Sequence, residues 1–284
     1  MGAPLKSWSP TIWSKAAIPQ KQSHAPIFFF PTAIFLRSPP RCTLATMSTD
    51  GESNSSSGAA DVDAIFAQKK ALRSKLKRDL KSMDSSLRSQ EDEQIQNVVL
   101  QAPWFKDCKS LCAYISCSTL REVDTSVILA RILQTQSKDE KKLYVPRVED
   151  MNRNMRMLNI SSTKDLIANS MNILEPCLVD SEGNEREDVL LANEPVDLFL
   201  LPGLGFDNFG RRLGRGGGYY DTFLTKYQEL AKERKWKQPL KIALSYSVQI
   251  VDNIPVTPDD VLVDALITPS GVLPISQTAQ QFCL

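Results

Sequence analysis

Four short stretches of this chain, SLCAYIS (110–116), VDLFLL (196–201), KIALSY (241–246) and VLVDALIT (261–268), are apolar over most of their length. Strands covered on both faces read this way, whereas half-exposed strands alternate apolar with polar. KLYVPRV (142–148) and MRMLNI (155–160) read as two further strands. Between the runs lie segments of helical period. In 62–83, Ile65, Phe66, Leu72, Leu76, Leu80 and Met83 recur at three- and four-residue steps, with lysines and arginines on the other faces; one or two of these cations are candidates to reach an anion. Segment 87–101 carries Ile95, Val98 and Val99, and 126–136 carries Ile128, Leu129, Ile132 and Leu133 behind a cap at Asp124 or Thr125. A helical turn is expected over 164–169, a charged loop over 184–194 and a helix over 219–234. Strands alternating with helices predict an α/β fold with a largely parallel sheet.

Charge and residue usage narrow the chemistry. The 284 residues hold 34 Lys and Arg against 33 Asp and Glu, which argues against a wrapped nucleic-acid partner. No apolar run reaches the roughly 18–20 residues of a membrane-spanning helix. The six cysteines include no Cys-x-x-Cys pair, and they are read as core or idle thiols. The one histidine, His24, lies in a segment read as an address rather than as folded protein. A folded part without imidazole excludes Ser/His/Asp and Cys/His machinery and histidine-ligated zinc.

Residues 1–49 carry five basic residues, seven prolines and no acid. That composition predicts an organellar transit peptide, with the mitochondrion as destination and the chloroplast, or a cytosolic product starting at Met47, as alternatives. Its removal leaves 29 basic against 33 acidic residues, a net charge of −4. A polar linker is expected at 50–61, a single α/β catalytic domain at 62–275 and a C-terminal tail at 276–284.

Seven of the twelve glycines fall between Gly203 and Gly218, in PGLGFDNFGRRLGRGGGYYD, which leaves an apolar strand and opens a helix. Ligands of parallel α/β sheets bind at this place, outside the carboxyl ends of the strands. Gly214, Gly216, Gly217 and Gly218 let backbone approach a ligand and expose N–H groups at the positive end of the following helix. Arg211, Arg212 and Arg215 add forked cations suited to phosphate oxygens. Micromolar binding of a nucleotide takes about 8 kcal/mol, within reach of three such cations at roughly 1.5–3 kcal/mol each. The loop lacks the Gly-Lys-Ser/Thr of a Walker loop and fails the Gly-x-Gly-x-x-Gly spacing. Asp221 at the helix start is either a simple cap or a carboxylate facing phosphates through a bridging magnesium ion.

The run from Pro202 to Asp221 resembles the signature of the 5-formyltetrahydrofolate cyclo-ligase (5,10-methenyltetrahydrofolate synthetase) family. KKALR (69–73), YISCSTLREVDT (114–125), YVPRV (144–148) and PDDVLVD (258–264) match further motifs in the family's order. The resemblance spans roughly residues 66–270. It implies a three-layer α/β/α fold of the ribose-phosphate isomerase/CoA-transferase type, and ATP- and magnesium-dependent conversion of 5-formyltetrahydrofolate to 5,10-methenyltetrahydrofolate; the alternative is a non-catalytic folate- or nucleotide-binding protein of the same fold. It implies ATP contacts from Lys69 and Arg73 and a wrap around the phosphates by Arg212, Leu213, Gly214, Arg215, Gly216, Gly217, Gly218, Tyr219 and Tyr220. Arg212 and Arg215 are the implied catalytic cations. Ile115 and Glu122 match folate-contacting positions, Arg215 to Tyr219 lie between nucleotide and folate, and Asp221 and Asp260 match magnesium ligands. The implied partners are ATP, 5-formyltetrahydrofolate and its polyglutamates, with no nucleic acid or membrane, for a monomeric enzyme. Gly217 stands where some members carry Lys, leaving Arg211 and Arg215 as candidates to replace that cation. Met171 stands where some members have Trp. Arg147 either faces the anionic folate tail or forms a surface salt bridge.

Overall fold

The computed structural model describes residues 57–135, 141–170 and 172–282. Residues 1–49, Met171 and the last two residues of the chain, on which several of the expectations above fall, lie outside them. In chain order the structure runs α1 (Ser57–Ser82), α2 (Ser85–Gln101), α3 (Pro103–Asp107), β1 (Ser110–Ala113), α4 (Ser126–Thr135), β2 (Lys142–Val148) and β3 (Met155–Ile160). Two small strands follow, β4 (Leu166–Ala168) and β5 (Leu174–Pro176), then β6 (Leu198–Leu201), β7 (Gly205–Phe206) and β8 (Arg212–Leu213). The chain finishes with α5 (Tyr219–Glu233), β9 (Leu240–Leu244), β10 (Ala265–Thr268), β11 (Gly271–Pro274) and α6 (Gln277–Phe282).

Seven strands form one sheet in the order β11-β10-β9-β6-β1-β2-β3. The five central strands are parallel, and β11 and β3 close the edges as antiparallel partners of β10 and β2. The expected continuous apolar runs have their reason here. Leu111, Leu200, Ile242 and Ile267 pack with the helical face built from α1, α2, α3 and α4. Their neighbours Cys112, Phe199, Leu201, Ala243 and Leu266 pack with α5 on the opposite face. The result is the three-layer α/β/α architecture.

The element limits shift for local reasons. Helix α1 begins at Ser57, inside the stretch expected to be linker, because SGAADVDA holds no proline and three good helix formers. The tail at 276–284 contains α6. VLVDALIT forms a strand only from Ala265, because Asp264 leaves the ladder to pair its carboxylate with Lys241, at 2.8 Å, and to accept the Lys241 backbone N–H. The helical turn expected over 164–169 is one 3-10 turn, after which Leu166–Ala168 forms β4. Thr125 does not cap α4. Its hydroxyl donates to the Tyr114 carbonyl and accepts the Ser116 N–H, which fixes the chain just beyond β1.

The glycine-rich segment is not a plain loop. It contains the β7–β8 hairpin, whose turn is organised by Asp207. This carboxylate, fully buried, accepts the N–H groups of Phe209 (2.9 Å) and Arg211 (3.0 Å) and, from across the fold, Ile254 (3.0 Å). Gly210 completes the turn at φ +81°, where a Cβ would stand 2.6 Å from the Val263 carbonyl oxygen. Replacing Asp207 by Ala leaves three backbone donors without their acceptor, that of Ile254 buried, and we expect a loss on the order of 3 kcal/mol. A urea unfolding midpoint equal to the wild type's would contradict that placement.

Candidate active site

In the sheet order, β1 continues to β2 on one side while β6 and β9 extend from its other side, so the chain reverses direction between β1 and β6. Such switch points leave a crevice at the carboxyl ends of the strands. Two segments meet there: 114–122, leaving β1, and the glycine-rich segment, leaving β6. Together they bound two cavities that share a wall made by Arg212, Gly214, Gly218 and Asp221.

The first cavity, about 220 Å³, is lined largely by apolar side chains, among them Tyr114, Ile115, Leu120, Pro146, Val148 and Ile173. Its charged groups are Glu122, Glu175 and the wall residues with Arg215. Arg215 donates to the Leu120 carbonyl, and its Nε lies 3.6 Å from Glu122 Oε1. Glu122 also accepts the Cys117 N–H at 3.1 Å. Its backbone carbonyl receives the Tyr246 hydroxyl, which is bonded to Asp92 as well. Burial raises the Glu122 carboxyl above its ordinary value, and the Cys117 N–H and Arg215 only partly offset this. The Tyr220 phenol, also on this side, is pushed well up by burial and stays protonated.

The second cavity, about 520 Å³, is polar. Lys69, Arg73, Arg153, Arg212 and Lys226 supply cations, and Asp221, Asp259 and Asp260 supply carboxylates. Lys69 and Arg73 stand one helical turn apart on α1, continuing the stripe that buries Leu76 and Leu80, so the two basic residues are carried inward with the apolar face. Lys69, 4 % exposed, is ion-paired with Asp260. Burial works against the Asp260 carboxylate, but Lys69 and the N–H and hydroxyl of Thr257 outweigh it and hold Asp260 below its ordinary value. The Arg73 Nε donates to the Gly214 carbonyl at 2.9 Å. Gly216 and Gly218 take φ of +113° and +72°, the left-handed region that favours glycine. Gly218 is the N-cap of α5, so Asp221 is no cap. Its Oδ1 instead accepts Arg212 Nη2 at 2.7 Å and the Val261 N–H.

Arg212 joins the two cavities. It is 6 % exposed and lies over the Tyr220 ring at 5.8 Å. Its buried Nε has no hydrogen-bond partner among the described residues. A buried guanidinium donor of this kind is normally satisfied, and an anion at the shared wall would satisfy it. A magnesium ion also fits the residues present. It takes oxygen ligands, commonly one or two carboxylates with the rest from phosphates and water. Asp221 and Asp260 line the polar cavity, and Asp221 Oδ2 and Asp260 Oδ1 receive no hydrogen bond from any described residue.

Every residue that the family resemblance assigns to ATP, folate or magnesium lines one of these cavities. Lys69, Arg73, Leu213, Gly216 and Asp260 lie on the polar side only. Ile115, Glu122, Arg215, Gly217, Tyr219 and Tyr220 lie on the apolar side only. Arg211 lines neither, because it turns to Asn253 and to Asp207. Arg147 projects from the sheet face opposite Pro146 and Val148, donates to the Pro176 carbonyl and lies 3.6 Å from Glu149. It is a structural cation there, with no place in the cavity. Phe66, Arg153, Lys226 and Thr257 were not singled out as site residues. Their segments carry no motif, and only the tertiary fold brings them to the polar cavity.

Three comparisons bear on this arrangement. The chain matches the model of the 5-formyltetrahydrofolate cyclo-ligase family over residues 65–269. It is 60% identical to the mitochondrial 5-formyltetrahydrofolate cyclo-ligase of Arabidopsis thaliana over 90% of this chain and 94% of that protein. It is 32% identical to the 5-formyltetrahydrofolate cyclo-ligase of Mus musculus over 72% of this chain and 94% of that protein. Its fold is similar to the NMR structure of Aquifex aeolicus 5,10-methenyltetrahydrofolate synthetase, with a TM-score of 0.58, 28% identity, and coverage of 74% of this chain and 93% of that one. A chain matched over this length, with its signature segment forming the wall of a two-cavity cleft, belongs to the 5-formyltetrahydrofolate cyclo-ligase family.

Proposed function

We propose that this enzyme converts 5-formyltetrahydrofolate and its polyglutamates to 5,10-methenyltetrahydrofolate, with ATP as co-substrate and release of ADP and phosphate. Arg212 carries the reading: a buried cation with an unused donor, in a wall between an apolar and a polar cavity. The pterin suits the apolar side, near Ile115, Glu122 and Tyr219. The polyphosphate suits the polar side, where Lys69, Arg73 and the glycine N–H groups converge, and Phe66, 52 % exposed, offers a ring for the base.

In this reading the formyl oxygen attacks the γ-phosphorus through the wall, and ADP departs with the electrons of the broken P–O bond. The substrate's N10 then attacks the activated formyl carbon, closing the five-membered ring; the N10 proton passes to the phosphate, which leaves with the formyl oxygen. No enzyme nucleophile is required, which suits a site without histidine. Arg212 and Arg215 hold the oxygens on which charge develops, and the fixed wall aligns the two substrates. Magnesium, held by Asp221 and Asp260, would offset phosphate charge during transfer. The basic, acid-free segment 1–49 and the mitochondrial relative support a mitochondrial location.

The purified chain should raise the methenyl product's near-ultraviolet absorbance only when 5-formyltetrahydrofolate, ATP and magnesium are all present. A flat trace from folded protein would remove the proposal. Asp221→Asn should shift the magnesium titration to higher concentration while leaving folate affinity near the wild type's, and an unshifted titration would return Asp221 to a purely structural pairing with Arg212. Arg215→Ala should lower kcat by about a hundredfold or more, the usual loss for one donor aimed at developing charge. The same variant removes a cation that lowers the Glu122 pKa, so its carboxyl should titrate still higher in a carbon-detected NMR pH series. The sign of the stability effect follows. Folded Glu122 holds its proton to higher pH than unfolded Glu122, so its contribution to stability falls as pH rises from the unfolded value through the folded one and is flat above.

A further inference from the structure

We propose that Arg153, in the turn between β2 and β3, binds the polyphosphate in the polar cavity from beside Gly218, in place of a cation from the glycine-rich segment. The inference rests on reading that cavity as the nucleotide site. The two arginines of the segment that were candidates for this task are occupied elsewhere. Arg211 turns to Asp207 and Asn253, outside both cavities, and Arg215 faces Glu122 on the apolar side.

Arg153 reaches the polar cavity from a different element. Its side chain lies across Gly218, where a Cβ would stand 3.2 Å from Arg153 Cδ, 3.3 Å from Nε and 3.5 Å from Cζ. Among the described residues no carboxylate lies within ion-pairing distance of it, and none accepts a hydrogen bond from it. An arginine free of carboxylates at the helix N-terminus formed by Gly218 is a cation available to an anion.

The turn that carries it is fixed on both sides. Asp150 accepts the N–H groups of Asn152 (2.7 Å) and Asn154 (3.3 Å) and the Asn154 amide, and the Glu149 N–H closes the hairpin on the Asn154 carbonyl. The Tyr219 hydroxyl, from the first turn of α5, donates to the Asp150 carbonyl at 2.9 Å. The turn is therefore pinned to the glycine-rich wall rather than free above it. Arg153 takes φ +67°, a conformation that glycine or asparagine adopts at lower cost. Backbone preference therefore does not require arginine at this position.

The test uses Arg153→Asn in the full chain, since asparagine tolerates the left-handed backbone. Calorimetry would measure the affinity of the wild type and the variant for ATP with magnesium, for inorganic tripolyphosphate and for 5-formyltetrahydrofolate. The variant should keep or raise the melting temperature, keep its folate affinity, and lose affinity for both phosphate ligands by about tenfold, the lower end for a charge-assisted hydrogen bond at an exposed residue. Unchanged phosphate affinity would overturn the inference. So would a parallel loss of folate affinity or of melting temperature, which marks a structural role. Tripolyphosphate binding that depends on Arg153 in a chain that does not bind ATP would sustain the inference while removing the nucleotide reading.

Discussion

A guanidinium buried in the wall between two cavities must be neutralised, and the pairing of Arg212 with Asp221 meets that demand. Removing either partner of such a pair leaves an uncompensated buried charge, which is far more costly than the pair itself. Much of the surrounding structure serves to bring these two side chains together. Asp207 shapes the β7–β8 hairpin that presents Arg212, and Gly218 starts α5 so that Asp221 falls in its first turn. The Val261 N–H, from the segment ahead of β10, fixes the same carboxylate oxygen from the other side.

The second pair, Lys69 with Asp260, repeats the arrangement in the polar cavity. In both pairs a cation suited to phosphate neutralises a carboxylate suited to magnesium. The cavity is thus held assembled by the same groups that its proposed ligands would engage. If the proposed nucleotide enters with its metal, it would offer each partner a replacement of the right sign, and the cations and carboxylates would be released together without stranding either charge. The cost of organising the site is met during folding rather than at binding, which is the general advantage of preorganisation.

Much of this was legible in the sequence, and the limits have physical causes. Continuous apolar runs such as VDLFLL reveal a sheet covered on both faces, and glycine clustering after such a run places the site. Lys69 and Arg73 could be suspected because their helix is basic, but only the stripe shared with Leu76 and Leu80 shows which of its cations turn inward. The β7–β8 hairpin was hidden because two-residue strands carry no period. Arg153, Lys226 and Phe66 were hidden because their sequence neighbours say nothing about what faces them across the fold. Arg147 stayed open between two roles because Pro-Arg at a strand's end can present either residue to the cleft, and the pleat presents Pro146 and leaves Arg147 beside Glu149.

Four residues are common to the two cavities, and two of them are glycine. Side chains that shape one chamber, such as Ile115 and Ile173, are not those that shape the other, such as Phe66 and Lys226. If the two chambers take folate and nucleotide as proposed, preference for the length of a folate's tail or for one purine over another would change by substitution on one side alone. Either specificity would then be open to redesign with the shared wall left intact.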